Sequence, residues 1–229
     1  MSHGQHVDPV RGAQGRPGTR TPGKLMGHGQ GRRYDLLSTL FFLGRRRRVF
    51  TRLTALSGAR PGDQVLDVGC GTGYFTRLLA EAVAPGGTAL GIDPSPEVIA
   101  RARRSTRLPD CTFSKGIAEA LDAEDQSYDV VVCSLMIHHL PETLRPQAIR
   151  EMHRVLRPGG RVLVADFRAP TTRIGRLLLK GHVISPAMRT NPVHLLEPMV
   201  REAGFQQIRA GDVQPWLRYV HAVKEASAQ

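Results

Sequence analysis

The stretch Val65-Leu66-Asp67-Val68-Gly69-Cys70-Gly71-Thr72-Gly73 constrains this chain more than any other. An apolar run that encloses Asp67 ends in three glycines at alternate positions, and behind them Phe75, Leu78, Leu79, Ala82 and Val83 fall at helical spacing. Strand, glycine turn and helix in that order place bare main chain beside a helix N-terminus. There glycine reaches backbone angles that other residues avoid, and a ligand can approach closely. A second apolar run, Thr88 to Ile92, ends in Asp93, twenty residues after Gly73, where a carboxylate can take both hydroxyls of a ribose. Together these features specify a nucleoside cofactor.

Two cofactor classes compete for that geometry. A dinucleotide fingerprint needs Gly-x-Gly-x-x-Gly, because a pyrophosphate must lie against the helix N-terminus. Here Tyr74 follows Gly73, so the spacing is Gly-x-Gly-x-Gly and the third glycine of that fingerprint is missing. An acid just before the glycines repels a pyrophosphate but suits a ligand that carries an ammonium group.

The rest of the chain continues the alternation of strand and helix. Arg60-Pro61-Gly62-Asp63 is a turn into the first strand, and Pro85-Gly86-Gly87 returns the chain to the second, Thr88 to Asp93. Ser95 is placed as an N-cap, with Pro96 at the first helical position and Glu97 in the first turn, which predicts a helix to about Arg104. Cys111 to Gly116 reads as a third strand and Tyr128 to Leu135 as a fourth, apolar at its centre as a strand covered on both faces should be. Pro146 opens a helix whose buried face is Ile149, Met152, Val155 and Leu156; Arg157-Pro158-Gly159-Gly160 closes it before a fifth strand, Arg161 to Phe167. Residues 192 to 203 read as a helix that Pro198 kinks or delimits, and Phe205 to Val213 with Trp216 to Lys224 as a terminal hairpin. This order predicts an α/β fold with a doubly wound parallel sheet.

Charge is concentrated at one end. The net charge is +12, and residues 1 to 60 hold twelve basic side chains against two acids, so the remainder is near neutral. Residues 1 to 33, with eight Gly and three Pro, have too little apolar surface to offset ordering and are expected to form a disordered basic tail. Apolar residues return between Tyr34 and Ser57 in two helical bunches, with a break expected at Gly44 and the run Arg45-Arg46-Arg47-Arg48 beside it. Those arginines fit a nucleic-acid or anionic-membrane patch, or a solvated helix face whose stems cover apolar surface. The apolar patch Leu36 to Leu43 falls short of the ~20 residues of a membrane span. Cys70, Cys111 and Cys133 are odd in number and at no metal-ligand spacing, so reduced thiols and a cytoplasmic setting are expected, with no metal.

The stretch around the glycines closely resembles motif I of the class I S-adenosylmethionine-dependent methyltransferases. Arg154-Val155-Leu156-Arg157-Pro158-Gly159-Gly160-Arg161-Val162-Leu163-Val164 resembles the motif III of the same family, and the likeness runs from about residue 61 to 168. The resemblance implies a Rossmann-like sheet of about seven strands, mostly parallel with an antiparallel C-terminal strand. It also implies S-adenosyl-L-methionine as the cofactor: the loop Gly69, Cys70, Gly71 holds its methionine end, Asp67 helps to fix its amino group, and Asp93 with Pro94 binds the ribose. Ser134, at the end of the fourth strand, belongs to the same set. Gly116-Ile117-Ala118-Glu119-Ala120-Leu121 resembles the family segment whose acid accepts from the adenine amino group. Here that position is Ile117, which leaves the adenine to apolar packing and to main-chain donors near Ala118.

The acceptor side follows from what lies beyond the fourth strand, where the transferable methyl should face. Tyr34-Asp35-Leu36-Leu37 followed by Leu43-Gly44-Arg45-Arg46-Arg47 resembles the N-terminal helix region of the ubiquinone/menaquinone C-methyltransferases, of the methyltransferase type 11 group, which implies a helical lid over residues 34 to 58 and makes Tyr34 a cofactor-covering residue. Asp166-Phe167-Arg168-Ala169-Pro170 resembles the same enzymes, and residues 169 to 190 form the variable acceptor-side connection. His138 and His139 are the candidate catalytic residues, the groups near the methyl with an unperturbed pKa suited to proton removal. The alternative is a histidine that only holds the crevice wall. The sequence lacks the Asn-Pro-Pro-Tyr motif of base-amino methylation after the fourth strand, a cytosine-C5 nucleophile and the paired glutamates of arginine methyltransferases, which leaves a small, quinone-like, natural-product or lipid acceptor. The alternatives are an RNA-binding protein or RNA methyltransferase working through the basic N-terminal region, and a methyltransferase-like scaffold without turnover.

Overall fold

The computed structural model describes residues 42, 44–169 and 191–226. The expected basic tail, Tyr34, and all but the first residue of the 169–190 connection lie outside them. A helix α1 (Arg46–Ser57) precedes β1 (Gln64–Val68), α2 (Tyr74–Val83), β2 (Thr88–Asp93), α3 (Pro96–Arg104) and β3 (Cys111–Lys115). Then come β4 (Tyr128–Ser134), α4 (Arg145–Val155), β5 (Leu156–Phe167), α5 (Leu196–Glu202), β6 (Phe205–Val213) and β7 (Leu217–Lys224). The seven strands form one sheet in the order β3-β2-β1-β4-β5-β7-β6, parallel except for β7, which is antiparallel to both neighbours. The expected architecture is therefore the observed one.

Alternation along the central strands divides the core in two. Val65, Val130, Val132 and Leu163 face α1, α2 and α3, whereas Leu66, Val131, Cys133 and Val162 face α4 and α5. Strands covered on both faces must be apolar on both, which is why β4 reads as a continuous apolar run. Phe50 of α1 sits at the centre of an edge-to-face cluster, its ring 5.6 Å from Phe42, 5.5 Å from Tyr74 and 5.3 Å from Phe75. Each such burial is worth about 1.5–3 kcal/mol, so this cluster fixes α1 beside the glycine loop. Gly44 has φ +74°, as the expected break requires.

Local signals place α3 as expected: Ser95 Oγ accepts from the Val98 amide, and Pro96 opens the helix. Elsewhere the structure corrects the boundaries. Leu156 is a strand residue rather than the last buried residue of α4; it pairs with Tyr128, and Pro158-Gly159-Gly160 forms an irregularity within β5 instead of a separate loop. The cause is distant in sequence: Lys224 Nζ donates to the carbonyls of His153, Arg154 and Leu156, satisfying the end of α4 so that the chain turns at once into the strand. Pro198 lies in the first turn of α5, where its missing N–H has no intrahelical acceptor, so it delimits the helix without a kink. β4 stops at Ser134 because Leu135 turns to φ +56°, β3 stops at Lys115, and β7 starts at Leu217 rather than Trp216. Among the described residues no helix is long and apolar enough to cross a membrane.

Candidate functional site

In an open α/β sheet the ligand crevice lies beyond the carboxyl ends of the strands, where β1, β2 and β4 here deliver Asp67, Asp93 and Ser134. Asp67 is 1% exposed. Its Oδ2 accepts a 2.7 Å hydrogen bond from Thr76 Oγ1 of α2, whereas Oδ1 is buried with no partner. Burial, reinforced by the nearby Asp93 and only partly opposed by Thr76, pushes the Asp67 carboxyl up to about 7. A buried carboxylate oxygen left without a donor is costly, and a cationic donor seated against it removes that cost.

The loop after β1 is tied to β2. The amides of Gly69 and Cys70 both donate to Ile92 O at 2.8 and 2.9 Å, and the amide of Gly71 donates to Asp93 Oδ2 at 3.1 Å. Asp93 Oδ1 accepts from the Ser95 amide, and burial holds this half-buried carboxyl above its ordinary value despite both bonds. The three glycines do different work. A Cβ at Gly69 would collide with Met136 Cγ, and one at Gly73 would lie 2.5 Å from the Phe113 ring, so both are glycines for packing. A Cβ at Gly71 would meet nothing within 4 Å, so of the three this is the one whose missing side chain leaves open space. That space, the unpaired Asp67 oxygen and the Asp93 carboxyl fit a nucleoside whose other end carries an ammonium group.

The remaining expected residues fall around this centre with different exposures. Cys70 is buried against Gly91, its thiol pushed up by burial and by both aspartates, so only its main chain belongs to the loop surface. Pro94 is exposed and Ser134 half-buried, the latter paired with Ala165 of β5. Ile117 is 43% exposed and Ala118 is buried, next to a Gly116 amide that donates to Asp93 O. Ile117 and Leu195 are the large apolar side chains most open to solvent among the described residues.

The two histidines are separated by the structure. His138 is 4% exposed; its Nδ1 lies 2.6 Å from Asp166 Oδ1, and its amide donates to Asp166 Oδ2 at 3.0 Å. Asp166 is wholly buried and also accepts from the Phe167 amide. His139 is exposed, with its ring 4.0 Å from that of His138, and desolvation followed by the charge of His138 lowers its pKa. Just before them Leu135 holds a left-handed backbone, a strain of about 1–3 kcal/mol of the kind stored at functional turns. Sequence reading missed the roles of Thr76, Met136 and Asp166. A hydroxyl on the otherwise apolar face of α2 and an acid at the carboxyl end of β5 were the available signals for the first and third.

Comparison with known proteins agrees with this geometry. A methyltransferase-domain family profile matches residues 65–160. The chain is 29% identical over 220 residues to the ubiquinone/menaquinone biosynthesis C-methyltransferase UbiE of Pasteurella multocida, spanning 85% of this chain and 81% of that protein. It is 36% identical over 162 residues to the arsenite methyltransferase of Halobacterium salinarum, spanning 67% of this chain and 40% of that one. The chain spans about half the length of several of the curated relatives it matches, between 40% and 58%. A SAM-dependent methyltransferase from Aquifex aeolicus shares the fold, with a TM-score of 0.64 at 20% identity over 75% of this chain and 87% of the other.

Proposed function

We propose that this chain is a class I S-adenosylmethionine-dependent methyltransferase and that it transfers a methyl group from S-adenosyl-L-methionine to a small or amphiphilic acceptor. The observation that carries the proposal is the buried, unpartnered Oδ1 of Asp67 beside the open space at Gly71. In this reading Asp67 Oδ1 takes the ammonium group of the donor, Asp93 the ribose hydroxyls, and Ile117 with the main chain near Ala118 the adenine. The donor brings a sulfonium with a good leaving group already in place, so the protein's work is positioning and exclusion of water.

An amine acceptor needs only to arrive neutral, whereas a hydroxyl or carbon acceptor must lose a proton. His138 supplies the base in the second case. Asp166 takes the hydrogen bond from Nδ1–H and so leaves Nε2 as the basic nitrogen, in a ring that cannot turn. His139, exposed and held neutral by its lowered pKa, lies against the outer face of that ring. A quinone-like or lipid acceptor is favoured by the 81% coverage of the quinone enzyme, and the differing acceptors named for the relatives keep the class broad. Tyr34 is the covering residue in the same proposal.

Calorimetric titration with S-adenosyl-L-methionine and S-adenosylhomocysteine tests the reading. Binding in the micromolar range that is strongly weakened in Asp67→Asn is expected, and no heat at millimolar ligand would sink it.

A further inference from the structure

We propose that the exposed arginine face of α1 docks this protein onto an anionic phospholipid surface, beside the mouth of the crevice. The docking itself stands on the surface chemistry; that it hands an amphiphilic acceptor to the site rests on the function proposed above.

The helix is unbalanced in charge and fixed in orientation. Its sequence, Arg-Arg-Arg-Val-Phe-Thr-Arg-Leu-Thr-Ala-Leu-Ser, holds four arginines and no acid, and Arg45 precedes it. Val49, Phe50, Leu53 and Ser57 are buried, which commits the opposite side to solvent. Arg45, Arg47, Arg48 and Arg52 stand on that side, with the small residues Thr51 and Ala55 between them. None of these four arginines makes an ion pair with a described residue. Arg46 is used differently, its guanidinium 4.1 Å above the ring of Tyr74. Tyr74 is the residue after Gly73, so this stacking contact places the N-terminal turn of α1 against the donor loop.

The imbalance extends over the whole face. The three helices α1, α2 and α3 that cover one side of the sheet carry eight arginines against two glutamates, whereas α4 and α5 on the other side carry four against three. Attraction to anionic matter therefore has a direction, and the end of α1 nearest the crevice is its densest part. The chemistry of the patch favours a bilayer over a single-stranded nucleic acid. Binding to single strands relies on aromatic side chains on which bases stack, and the exposed positions of α1 hold none. A charged lipid surface asks only for arginines on a convex face, each worth about a fivefold gain in partitioning near an anionic leaflet.

The test is vesicle flotation of the full chain with phosphatidylcholine alone and with about 30% phosphatidylglycerol added. The expected result is binding to the anionic vesicles only, lost as salt is raised. Arg47→Glu/Arg48→Glu/Arg52→Glu should weaken it by on the order of a hundredfold or more, and the milder Arg47→Gln/Arg48→Gln/Arg52→Gln by less. The basic residues of 1–33 are the same in all three proteins, so the differences report α1. Circular dichroism and S-adenosylhomocysteine binding, both unchanged in the variants, separate this proposal from the function above: failure of nucleotide binding in the parent sinks that reading and leaves the docking result to stand alone. Equal flotation of parent and variants, equal binding to neutral vesicles, or tighter binding to single-stranded or duplex RNA than to the anionic vesicles would each overturn the proposal.

Discussion

Raising the pH from 5 to 7 is expected to strengthen donor binding about fiftyfold, through Asp67 alone. Burial lifts the carboxyl of the unliganded protein from 3.8 to about 7. The folded chain thus keeps a proton that the unfolded chain releases near pH 4, and stability declines between about pH 4 and 7 and is level above it. At ~1.4 kcal/mol per unit, that window costs the unliganded fold about 4 kcal/mol. The groups near this carboxyl are Asp93 and the thiols Cys70, Cys111 and Cys133, none of which offers a positive charge, and Thr76, which offers a single hydrogen bond.

An ammonium group binds the ionised form, which is about 1% of the protein at pH 5, a tenth at pH 6 and half at pH 7. Binding at pH 6 should release about 0.9 proton, and affinity should turn down again above about pH 8, where an α-amino group loses its own proton. Calorimetry with S-adenosylhomocysteine in two buffers of different ionisation enthalpy measures both quantities. Asp67→Asn should bind weakly, with a flat profile between pH 5 and 7 and no proton release. A flat profile in the parent protein, or proton uptake on binding, would refute the argument that Asp67 Oδ1 awaits a cation.

The glycines should separate in the same assay. Gly71→Ala has room for its methyl group and should cost about 1 kcal/mol of stability for its left-handed backbone, yet weaken nucleotide binding on the order of tenfold or more. Gly69→Ala, driven into Met136, should lower stability by about 3 kcal/mol in denaturant titration. Ile117→Asp restores the acceptor that the resemblance expects, and should tighten nucleotide binding about fivefold, the worth of one net hydrogen bond. Asp166→Ala strips three N–H groups of their acceptor and should cost about 3 kcal/mol or more. It should also abolish the slowly exchanging Nδ1–H resonance of His138 in NMR, while His139→Ala leaves that resonance in place.

What was legible in the sequence was what short-range chemistry decides. Ser95, Pro96 and Glu97 fix the start of α3 within four residues of chain, and Thr88 to Asp93 forms a strand with the expected ends. Asp67 was legible as an acid before a glycine turn, because residue type and order are enough to put a carboxylate at the end of a buried strand. Its unpaired oxygen was not, since that depends on where Thr76 stands in the first turn of α2. The division of labour among Gly69, Gly71 and Gly73 depends likewise on Met136 and Phe113, which arrive from β4's end and from β3. Leu156 was misassigned for the same reason: the cation that ends α4 is Lys224, on the last strand of the sheet.

The histidines carry this furthest. His138 and His139 are adjacent and identical in type, so no local pattern distinguishes them, and sequence reading had to treat them as one candidate. What distinguishes them is the pairing of β4 with β5. Ser134 opposite Ala165 brings Asp166 beneath the turn that follows β4, and that carboxylate takes both the amide and the ring nitrogen of one histidine. The neighbouring residue is thereby turned outward, against the first ring and into solvent. If His138 is the base, its tautomer and orientation are held by a residue 28 positions away, and Asp166→Asn should lower turnover with the donor affinity unaffected. If instead Asp166→Asn lowers donor affinity and turnover together, the pair only braces the crevice wall.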